Sequence, residues 1–365
     1  MGAKTGPMSA RVASKYIVIL RAGVTTALIV VAIAFAVMSY FTRMSYEHHL
    51  AVERFHSISH YGLDTLADDF GEKQSVVLGM AKNMAYFKPN ISEWPNVAMP
   101  GFFDSSTSQR DSAGLDDIFF MPIVQPEELT SFETFMSSYF ASEPEIGAGA
   151  GIPALGVFSI GPHGPYHDTT GQALVYNSPH NMTTPVIQQL YTMYATRASQ
   201  GFNMHSTVEF GPALDSMIAC SRESNYSTAH KCVGISAVVG FPLGSSGADV
   251  KDFHTAILQP VYLSRNTSNL VGFMGGGFNW LTLLSKVLRD SIPGVEIVVC
   301  NCGECVTFVK SSDPVRFVGV GDLHDRKHNH LMHSVRLFAA PDGSEDHSTY
   351  TVFFYPNDEF YTFYQ

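Results

Sequence analysis

The longest apolar run in the chain lies near its N-terminus. Between Ala22 and Phe41 no side chain is ionisable except the phenol of Tyr40. At a rise of about 1.5 Å per residue, a helix of this length spans the roughly 30 Å hydrocarbon core of a bilayer. A cleaved signal peptide is usually shorter and ends in small residues, whereas this run ends in the bulky sequence MSYF. The run therefore predicts a transmembrane helix at 22–42, after a short tail at 1–21.

A second apolar pattern follows the predicted membrane span. Apolar residues recur at steps of about 3.5 with charged residues between them, which predicts a long amphipathic helix over 43–88 that ends before Pro89. The stripe can pack against its own domain, against the twin helix of a homodimer, or against both. Gly62, Gly71 and Gly79 argue against a perfect coiled coil. The stripe consists of Val52, Phe55, Ile58, Leu63, Leu66, Phe70, Val77, Met80 and Met84.

Beyond residue 114 the pattern changes to short apolar runs separated by turns. With a few helical stretches, these runs predict an α+β fold of two mixed lobes. The segment 90–114 is rich in Pro, Ser, Asn and Asp, so it is predicted to be a loop. Helices are predicted over 127–140, 184–199 and 279–289. Strands are predicted over 118–124, 157–160, 173–176, 204–210, 234–241, 256–262, 270–275, 296–300, 306–309, 335–339 and 350–355.

Charge is distributed unequally about the predicted span. Basic residues without any acidic residue precede it, whereas the basic residues just after it are offset by Glu47 and Glu53. This asymmetry predicts a cytosolic N-terminus and an extracellular or lumenal remainder. The formal net charge is −11, and without the four basic residues before the span the remainder carries about −15, which argues against nucleic acid or an anionic membrane surface as a partner. The preceding basic residues are Lys4, Arg11, Lys15 and Arg21.

The cysteines and glycosylation triplets agree with export. All five cysteines follow the span, and Cys220 with Cys232 would close a short loop in an oxidising compartment. Two of Cys300, Cys302 and Cys305 could pair; we adopt Cys300 with Cys305, and one cysteine is left free or intermolecular. Four Asn-x-Ser/Thr triplets offer sites for N-glycosylation. They begin at Asn90, Asn181, Asn225 and Asn266.

The segment from Ala256 to Leu284 reads AILQPVYLSRNTSNLVGFMGGGFNWLTLL, which is a strand, a polar turn, a strand, small residues and a helix. It resembles the end of the CHASE sensor domain, an extracellular module of membrane receptors in which a strand ending in PVY precedes a hairpin. Residues 118–140, with their Phe-Glu pair at 132–133, resemble the strand and helix of that domain. Residues 184–210 resemble its helix–glycine–strand unit.

The C-terminal part carries a more specific resemblance. Residues 294–331 read GVEIVVCNCGECVTFVKSSDPVRFVGVGDLHDRKHNHL, and residues 353–364 read FFYPNDEFYTFY. Both are similar to the extracellular region of receptor-type nucleotide cyclases of algal and diatom kind, where the latter segment leads toward a second membrane helix. The resemblance covers 115–365. No second apolar run and no cyclase or kinase domain precedes Gln365, so we expect an incomplete gene product or a stand-alone ectodomain.

The resemblance implies a sensor built from paired PAS-like lobes held against a long N-terminal helix. We therefore expect a receptor that binds a small-molecule or peptide ligand and signals to a cytosolic cyclase or kinase domain. We expect a homodimer, no cofactor and no catalytic residues in this chain. Six strand positions could supply pocket walls, although each is also an ordinary core candidate. They are Phe119, Val208, Phe210, Tyr262, Phe273 and Phe278.

Three motifs that could carry chemistry favour structural roles instead. The segment 322–333 holds the densest set of possible metal ligands, four histidines and two aspartates, but its polar composition favours a solvated loop with turn hydrogen bonds from Asp322 and Asp325. The three cysteines at 300–305 lack a fourth thiolate, which favours a disulfide over a metal knuckle. The glycine-rich GFMGGG lacks the Gly-Lys-Ser/Thr that grips phosphates. No metal site is therefore predicted.

Two rival functions follow from the same sequence. A stand-alone, membrane-anchored cell-surface binding protein is preferred if the message ends after Gln365. A type II membrane glyco-enzyme would need acids, His or Cys gathered in a cleft, and the histidines of 324–333 are the place to look.

Overall fold

The chain folds into a long N-terminal helix followed by two antiparallel sheets with helices packed around them. This arrangement, given by a computed structural model, confirms the predicted α+β class. The structure describes residues 10–142, 156–161, 164–167, 176, 178–191, 200–224, 232–242, 251–263, 269–288, 292–301, 304–312, 314–337 and 349–364.

Helix α1, Ala10–Phe87, is unbroken over 78 residues, a length of about 115 Å at 1.5 Å per residue. The part from Lys15 onward contains a stretch that is apolar enough to cross a membrane, and none of that stretch is buried. Farther along, the predicted apolar stripe packs against the chain's own lobes. The stripe positions buried in the main core are Phe55, Leu63, Leu66, Phe70, Val77, Met80 and Met84.

Shorter helices and turns surround the sheets. The helices are α2 (Phe102–Ala113), α3 (Leu129–Ser142), α4 (Gly211–Glu223), α5 (Trp280–Val287) and α6 (Asp358–Tyr364). Short 3-10 turns cover Ile91–Glu93, Pro126–Glu128, Met204–Ser206 and Arg326–Leu331. The predicted helices at 127–140 and 279–289 are thus confirmed as α3 and α5, and Asn279 caps α5 by accepting hydrogen bonds from the amides of Leu281 and Thr282.

The first sheet has the strand order β4-β1-β8-β7-β5, and β6 also pairs with β7. Every one of these pairings is antiparallel. A separate hairpin is formed by β2 (Phe158–Gly161) and β3 (Gly164–His167). The strands of the first sheet are β1 (Asp117–Pro122), β4 (Gln188–Tyr191), β5 (Gly234–Ile235), β6 (Val239–Pro242), β7 (Lys251–Tyr262) and β8 (Leu270–Asn279).

The second sheet has the order β11-β10-β9-β13-β12, again with antiparallel pairs. Its strands β9, β10, β12 and β13 correspond to predicted strands, whereas β11 and the terminal helix α6 were not predicted. The strands are β9 (Val295–Asn301), β10 (Glu304–Lys310), β11 (Arg316–Val320), β12 (His333–Leu337) and β13 (Tyr350–Pro356).

Helix α1 packs against both sheets in succession. Near its apolar segment it meets the second sheet and α6, where Phe55 and Phe360 lie 5.4 Å apart between ring centroids. Farther along it meets the first sheet, where Phe70 and Phe278 lie 5.0 Å apart. We call the unit around the second sheet the proximal lobe and the unit around the first sheet the distal lobe, by their distance along α1 from the apolar segment.

Close approach of α1 to each lobe depends on a glycine. A Cβ at Gly62 would lie 2.8 Å from Cε2 of Phe354 in the proximal lobe, and a Cβ at Gly276 of β8 would lie 2.6 Å from Cγ2 of Val77. Such distances are shorter than van der Waals contact, so any larger residue would push helix and sheet apart. In contrast, nothing lies within 4 Å of a Cβ built at Gly71 or Gly79.

The predicted loop at 90–114 is wrong over half its length, because α2 occupies 102–113. Glycines in the left-handed conformation flank this helix, Gly101 with φ 64° and Gly114 with φ 59°. The helix is polar apart from a few buried positions such as Phe102 and Ala113. Its composition is that of a loop, and only packing against α1 and β4 selects a helix.

The predicted helix at 184–199 is also wrong in the part that the structure describes. Residues 188–191 form β4, which pairs with β1, and Gln188 lies in the interior with its amide bonded to the backbone of Met99 and the hydroxyl of Tyr139. Thr184 does not begin a helix either; its amide donates to Asn203. Tertiary hydrogen bonds therefore override the local helix signal.

The predicted strand at 204–210 is replaced by a 3-10 turn that leads into α4. Pro212 lies in the first turn of α4, where its missing N–H is not needed. One face of α4 is buried, and it includes Leu214 and Met217. The predicted strand at 173–176 lies almost entirely outside the described residues.

Candidate functional site

The six predicted pocket-wall residues divide between two faces of the distal sheet. Phe119 and Phe273 belong to a compact core on the face turned away from α1, and Phe210 packs against this core with its ring 6.4 Å from that of Phe119. Tyr262 lies at the margin of the same face, where its hydroxyl bonds to that of Ser221 on α4. We call this the outer face.

The other two predicted residues lie elsewhere. Phe278 is five positions from Phe273 on β8, so strand alternation places it on the opposite face, against Phe70 of α1. Val208 is 50% exposed in the turn before α4. The structure therefore brings together four of the six predicted residues and separates Phe278 and Val208 from them.

A cluster of polar side chains adjoins the outer face. We call it the Asp215 cluster: Tyr176, Ser178, His180, His205 and Asp215. The phenol of Tyr176 donates to Oδ2 of Asp215 at 2.5 Å, and the hydroxyl of Ser178 donates to Oδ1 at 2.7 Å. Nε2 of His205 lies 2.7 Å from the same Oδ1, and Nε2 of His180 lies 3.9 Å from it.

Three segments of the chain bring these side chains together. Asp215 lies in the first half of α4, and His205 lies in the turn Met204–Ser206, where its amide donates to Oγ1 of Thr184 at 3.1 Å. Gly211 admits the ring of Tyr176 to the start of α4, because a Cβ at this position would lie 2.1 Å from Cδ1 of the tyrosine. The cluster therefore exists only when the chain is folded.

Burial and hydrogen bonding set the protonation of the cluster. Burial alone would raise the pKa of the Asp215 carboxyl, but the hydrogen bonds from His205, Tyr176 and Ser178 outweigh it and hold that pKa below its ordinary value. Burial, together with the adjacent carboxylate, raises the pKa of Tyr176 to about 12. Burial lowers the pKa of His180. At neutral pH the carboxyl of Asp215 is therefore ionised, and Tyr176 keeps its phenolic proton.

The arrangement of these groups is not that of a nucleophile triad. In such a triad the serine hydroxyl bonds to the imidazole, which in turn bonds to the carboxylate. Here the hydroxyl of Ser178 and the imidazole of His205 both bond to the same oxygen of Asp215. The carboxylate thus gathers its donors, and the imidazole of His205 is bonded to Asp215 and not to the hydroxyl of Ser178.

His205 has an unused hydrogen-bonding atom. Its side chain is 1% exposed, and its Nδ1 is buried with no hydrogen-bond partner among the residues that the structure describes. An unsatisfied buried nitrogen costs about 1–3 kcal/mol, which a ligand or a bound water could recover. The cluster can therefore offer a polar contact next to aromatic walls, the combination expected of a small-molecule site.

The histidine-rich segment of the proximal lobe is an ordered turn. The His324 ring bonds through Nδ1 to Asp322 and through Nε2 to Asn329 at 2.6 Å, and it stacks on Tyr355 at 3.8 Å. Asp325 caps the turn by accepting from the amide of Lys327. Within the described ranges, no group of three or more His, Cys, Asp or Glu side chains could hold a metal ion. The segment thus has the turn hydrogen bonds expected of a polar loop.

The predicted disulfide cysteines and glycosylation sites are placed as follows. Cys220 of α4 bonds to Cys232, and Cys300 bonds to Cys305 across the β9–β10 hairpin. Asn90 and Asn181 are exposed. Three further predicted positions, Asn225, Asn266 and Cys302, lie outside the described residues.

No protein-family model matches the chain, and no curated protein matches it. Among the solved structures that resemble it are chemoreceptor proteins. The periplasmic sensory domain of the Campylobacter jejuni chemoreceptor Tlp1 is 10% identical, with a TM-score of 0.43 and coverage of 86% of this chain and 96% of that one. A "Methyl-accepting Chemotaxis protein X" is 10% identical, with a TM-score of 0.36 and coverage of 84% and 98%.

A third similar structure is the ligand-binding domain of the C. jejuni chemoreceptor Tlp3 in complex with L-valine. It is 7% identical, with a TM-score of 0.33 and coverage of 87% of this chain and 97% of that one. All three likenesses are distant, with TM-scores below 0.5, and they do not assign the chain to a family.

Proposed function

We propose that this chain is the ligand-sensing region of a single-pass membrane receptor. The observation that carries the proposal is the continuity of α1: one helix runs from an exposed apolar segment through contacts with both lobes. A change in how either lobe packs on α1 therefore acts on a rod that enters the bilayer. Such a change needs two alternative packings whose balance a ligand shifts.

The proposed orientation places the N-terminus in the cytosol and both lobes outside. Three observations support it: the basic residues before the apolar segment, the two disulfides, and the exposed Asn90 and Asn181 in glycosylation triplets. Domain limits of 1–21, 22–42, 43–88 and 115–365 remain our proposal for the tail, membrane helix, juxtamembrane helix and sensor.

The proposed ligand site is the outer face of the distal lobe. Phe119, Phe210 and Phe273 would supply apolar walls, and His205 beside Asp215 would supply polar contacts. The site would bind a small molecule or a peptide end carrying a hydrogen-bonding group, with no chemical step and no cofactor. A homodimer would use the exposed face of α1, because the apolar stripe is already buried against the chain's own lobes.

The ligand site can be tested by thermal-shift screening of the full chain in lipid nanodiscs. Amino acids, small organic acids and short peptides are suitable probes, and a ligand at one hundred times its Kd should stabilise the fold by about 2.7 kcal/mol. Replacing Asp215 with Asn should weaken binding by about tenfold or more, because the donors around the carboxylate lose their organising charge. Equal affinity of wild type and D215N would place binding elsewhere.

Two further variants make this test specific. Ser178→Ala removes a single donor to Asp215 and should weaken binding less, which guards against misreading a folding defect in D215N. Asp358→Asn, in the proximal lobe, removes a carboxylate that pairs with Lys327 and should leave affinity unchanged.

We further propose that the receptor signals to a cytosolic nucleotide cyclase or kinase domain. The resemblance of 115–365 to the extracellular region of receptor-type cyclases supports this output. Sequencing the transcript through and beyond the codon for Gln365 tests it. A second apolar run followed by a catalytic domain is the expected result. An immediate stop codon in intact message would instead favour a stand-alone cell-surface binding protein.

A further inference from the structure

Two histidine rings meet where α1 packs against the edge strand of the proximal lobe. His56 projects from α1 and His333 is the first residue of β12, and their rings lie edge to face with centroids 4.5 Å apart. The ring of Phe55, fully buried, lies 5.9 Å from His333. This contact joins the proximal lobe to the helix only a few turns beyond the apolar segment.

Among the residues that the structure describes, no carboxylate forms an ion pair with either ring, and Nε2 of His333 is buried without a hydrogen-bond partner. On α1, Nδ1 of His60 lies 2.8 Å from Oδ2 of Asp64, and Glu53 pairs with His49. The guanidinium of Arg54 lies over the ring of Tyr364.

The charged groups described on α6 and β12 either pair with other side chains or lie on the opposite face of the strand. On α6, Asp358 pairs with Lys327 and His328, and Tyr361 stacks on His48. On β12, Arg336 is three positions from His333, so strand alternation sends it to the opposite face.

Burial, with smaller contributions from His56 and His60, lowers the pKa of His333. A lowered pKa in the packed state means that the packed contact is favoured above the ordinary histidine pKa near 6.5 and is weakened as the pH falls below it.

We propose that the His56–His333 contact is an acid-sensitive latch between α1 and the proximal lobe. Above about pH 6.5 the neutral ring of His333 packs edge to face against the ring of His56. Acidification places a positive charge on His333 within this contact, and the contact opens. The latch would make the helix that enters the membrane responsive to external pH, whichever ligand the distal lobe binds.

Hydrogen–deuterium exchange of the full chain in lipid nanodiscs, without ligand, tests the latch. Exchange is measured at pH 7.5 and pH 5.0 and corrected for intrinsic rates. Peptides covering 46–62 and 333–337 should lose about tenfold in protection at pH 5.0, because local opening becomes favourable. Peptides covering 69–84 of α1, which face the distal lobe, should change by less than about twofold.

Substitutions at the two histidines test whether their rings cause the acid-induced loss of protection. His333→Gln should abolish the acid-induced loss of protection, and His56→Gln should reduce it, because burial lowers the pKa of His333 more than His56 does. His56 is exposed, so H56Q is expected to fold even if H333Q does not. The matched control is His49→Gln, on the same helix and paired with Glu53, which should respond like the wild type. An unchanged wild type, an equal loss in the 69–84 peptides, or an acid response in H56Q as large as that of the wild type would overturn the proposal.

Discussion

Helix α1 makes two polar contacts of opposite character with the two lobes. Against the distal lobe, Lys73 is 2% exposed, pairs with Asp69 at 2.6 Å, and donates to the carbonyl of Ala113 at the end of α2. Lys286 of α5 reaches the other oxygen of Asp69 at 2.7 Å. Against the proximal lobe, the imidazoles of His56 and His333 meet, and no ion pair with either is found among the described residues. The distal contact is a compensated charge network, whereas the proximal contact is a packing of two aromatic rings.

The two contacts should respond differently to a change in charge. Burial lowers the pKa of Lys73, but its carboxylate and carbonyl partners keep it hydrogen-bonded in the interior. Removing one partner from such a buried network is strongly destabilising. A buried imidazole such as that of His333 packs less favourably once it gains a positive charge. We therefore expect acidification to loosen the proximal lobe on α1 and to leave the distal contact in place.

The largest expected effect comes from breaking the distal network. Lys73→Met leaves the carbonyl of Ala113 without its buried donor and removes one partner of Asp69. We expect a loss of about 3 kcal/mol in the free energy of unfolding, since Lys286 still pairs with Asp69. Chemical denaturation followed by circular dichroism measures it. Lys82→Met on the exposed face of α1 is the control, and an equal loss in both would disprove a special role for the network.

A smaller effect is the dependence of the free energy of unfolding on pH through Asp117 in the distal lobe. Burial raises the pKa of Asp117 to about 6, partly opposed by a hydrogen bond from Gln189. The folded state thus binds this proton more tightly than the unfolded chain. The group's favourable contribution is present below its ordinary pKa of 3.8 and is lost as the pH rises through about 6.

Asp117→Asn removes this dependence. Relative to wild type, the variant should gain about 1.5 kcal/mol in free energy of unfolding between pH 5 and pH 8. Denaturation curves at the two pH values measure it. Asp111→Asn, at an exposed residue of α2, should show no such trend. The sign is opposite to that of the histidine latch, so a parallel trend in both lobes would contradict the comparison.

The smallest effect concerns the glycines of α1. Gly62→Ala places a methyl group 2.8 Å from the ring of Phe354 and should destabilise the proximal contact by about 1 kcal/mol. Gly71→Ala meets nothing within 4 Å and should instead stabilise the helix by about 0.5–1 kcal/mol. Melting temperatures of the two variants give the signs. An increase in melting temperature for both variants would show that the close approach at Gly62 is unimportant.

The sequence indicated the apolar residues of the candidate site but not its polar residues. Phe119 and Phe273 could be recognised because buried strands appear as continuous apolar runs. Asp215 and His205 were missed, although the Gly-Pro at 211–212 followed by a periodic apolar face indicates the helix that carries Asp215. Nothing local indicated that Tyr176 and Ser178 would reach Asp215, because their contact spans more than 35 residues of sequence.

The sequence by itself determined α1, the α+β class and most strands of the proximal sheet. These features depend on periodicity and on apolar length, which local residues specify. Only the tertiary structure decided that 102–113 is a helix, that 188–191 is a strand, and that His56 faces His333. In each case burial and hydrogen bonds to distant residues outweigh weak local preferences, since a propensity of a few tenths of a kcal/mol per residue yields to a buried contact of about 1 kcal/mol or more.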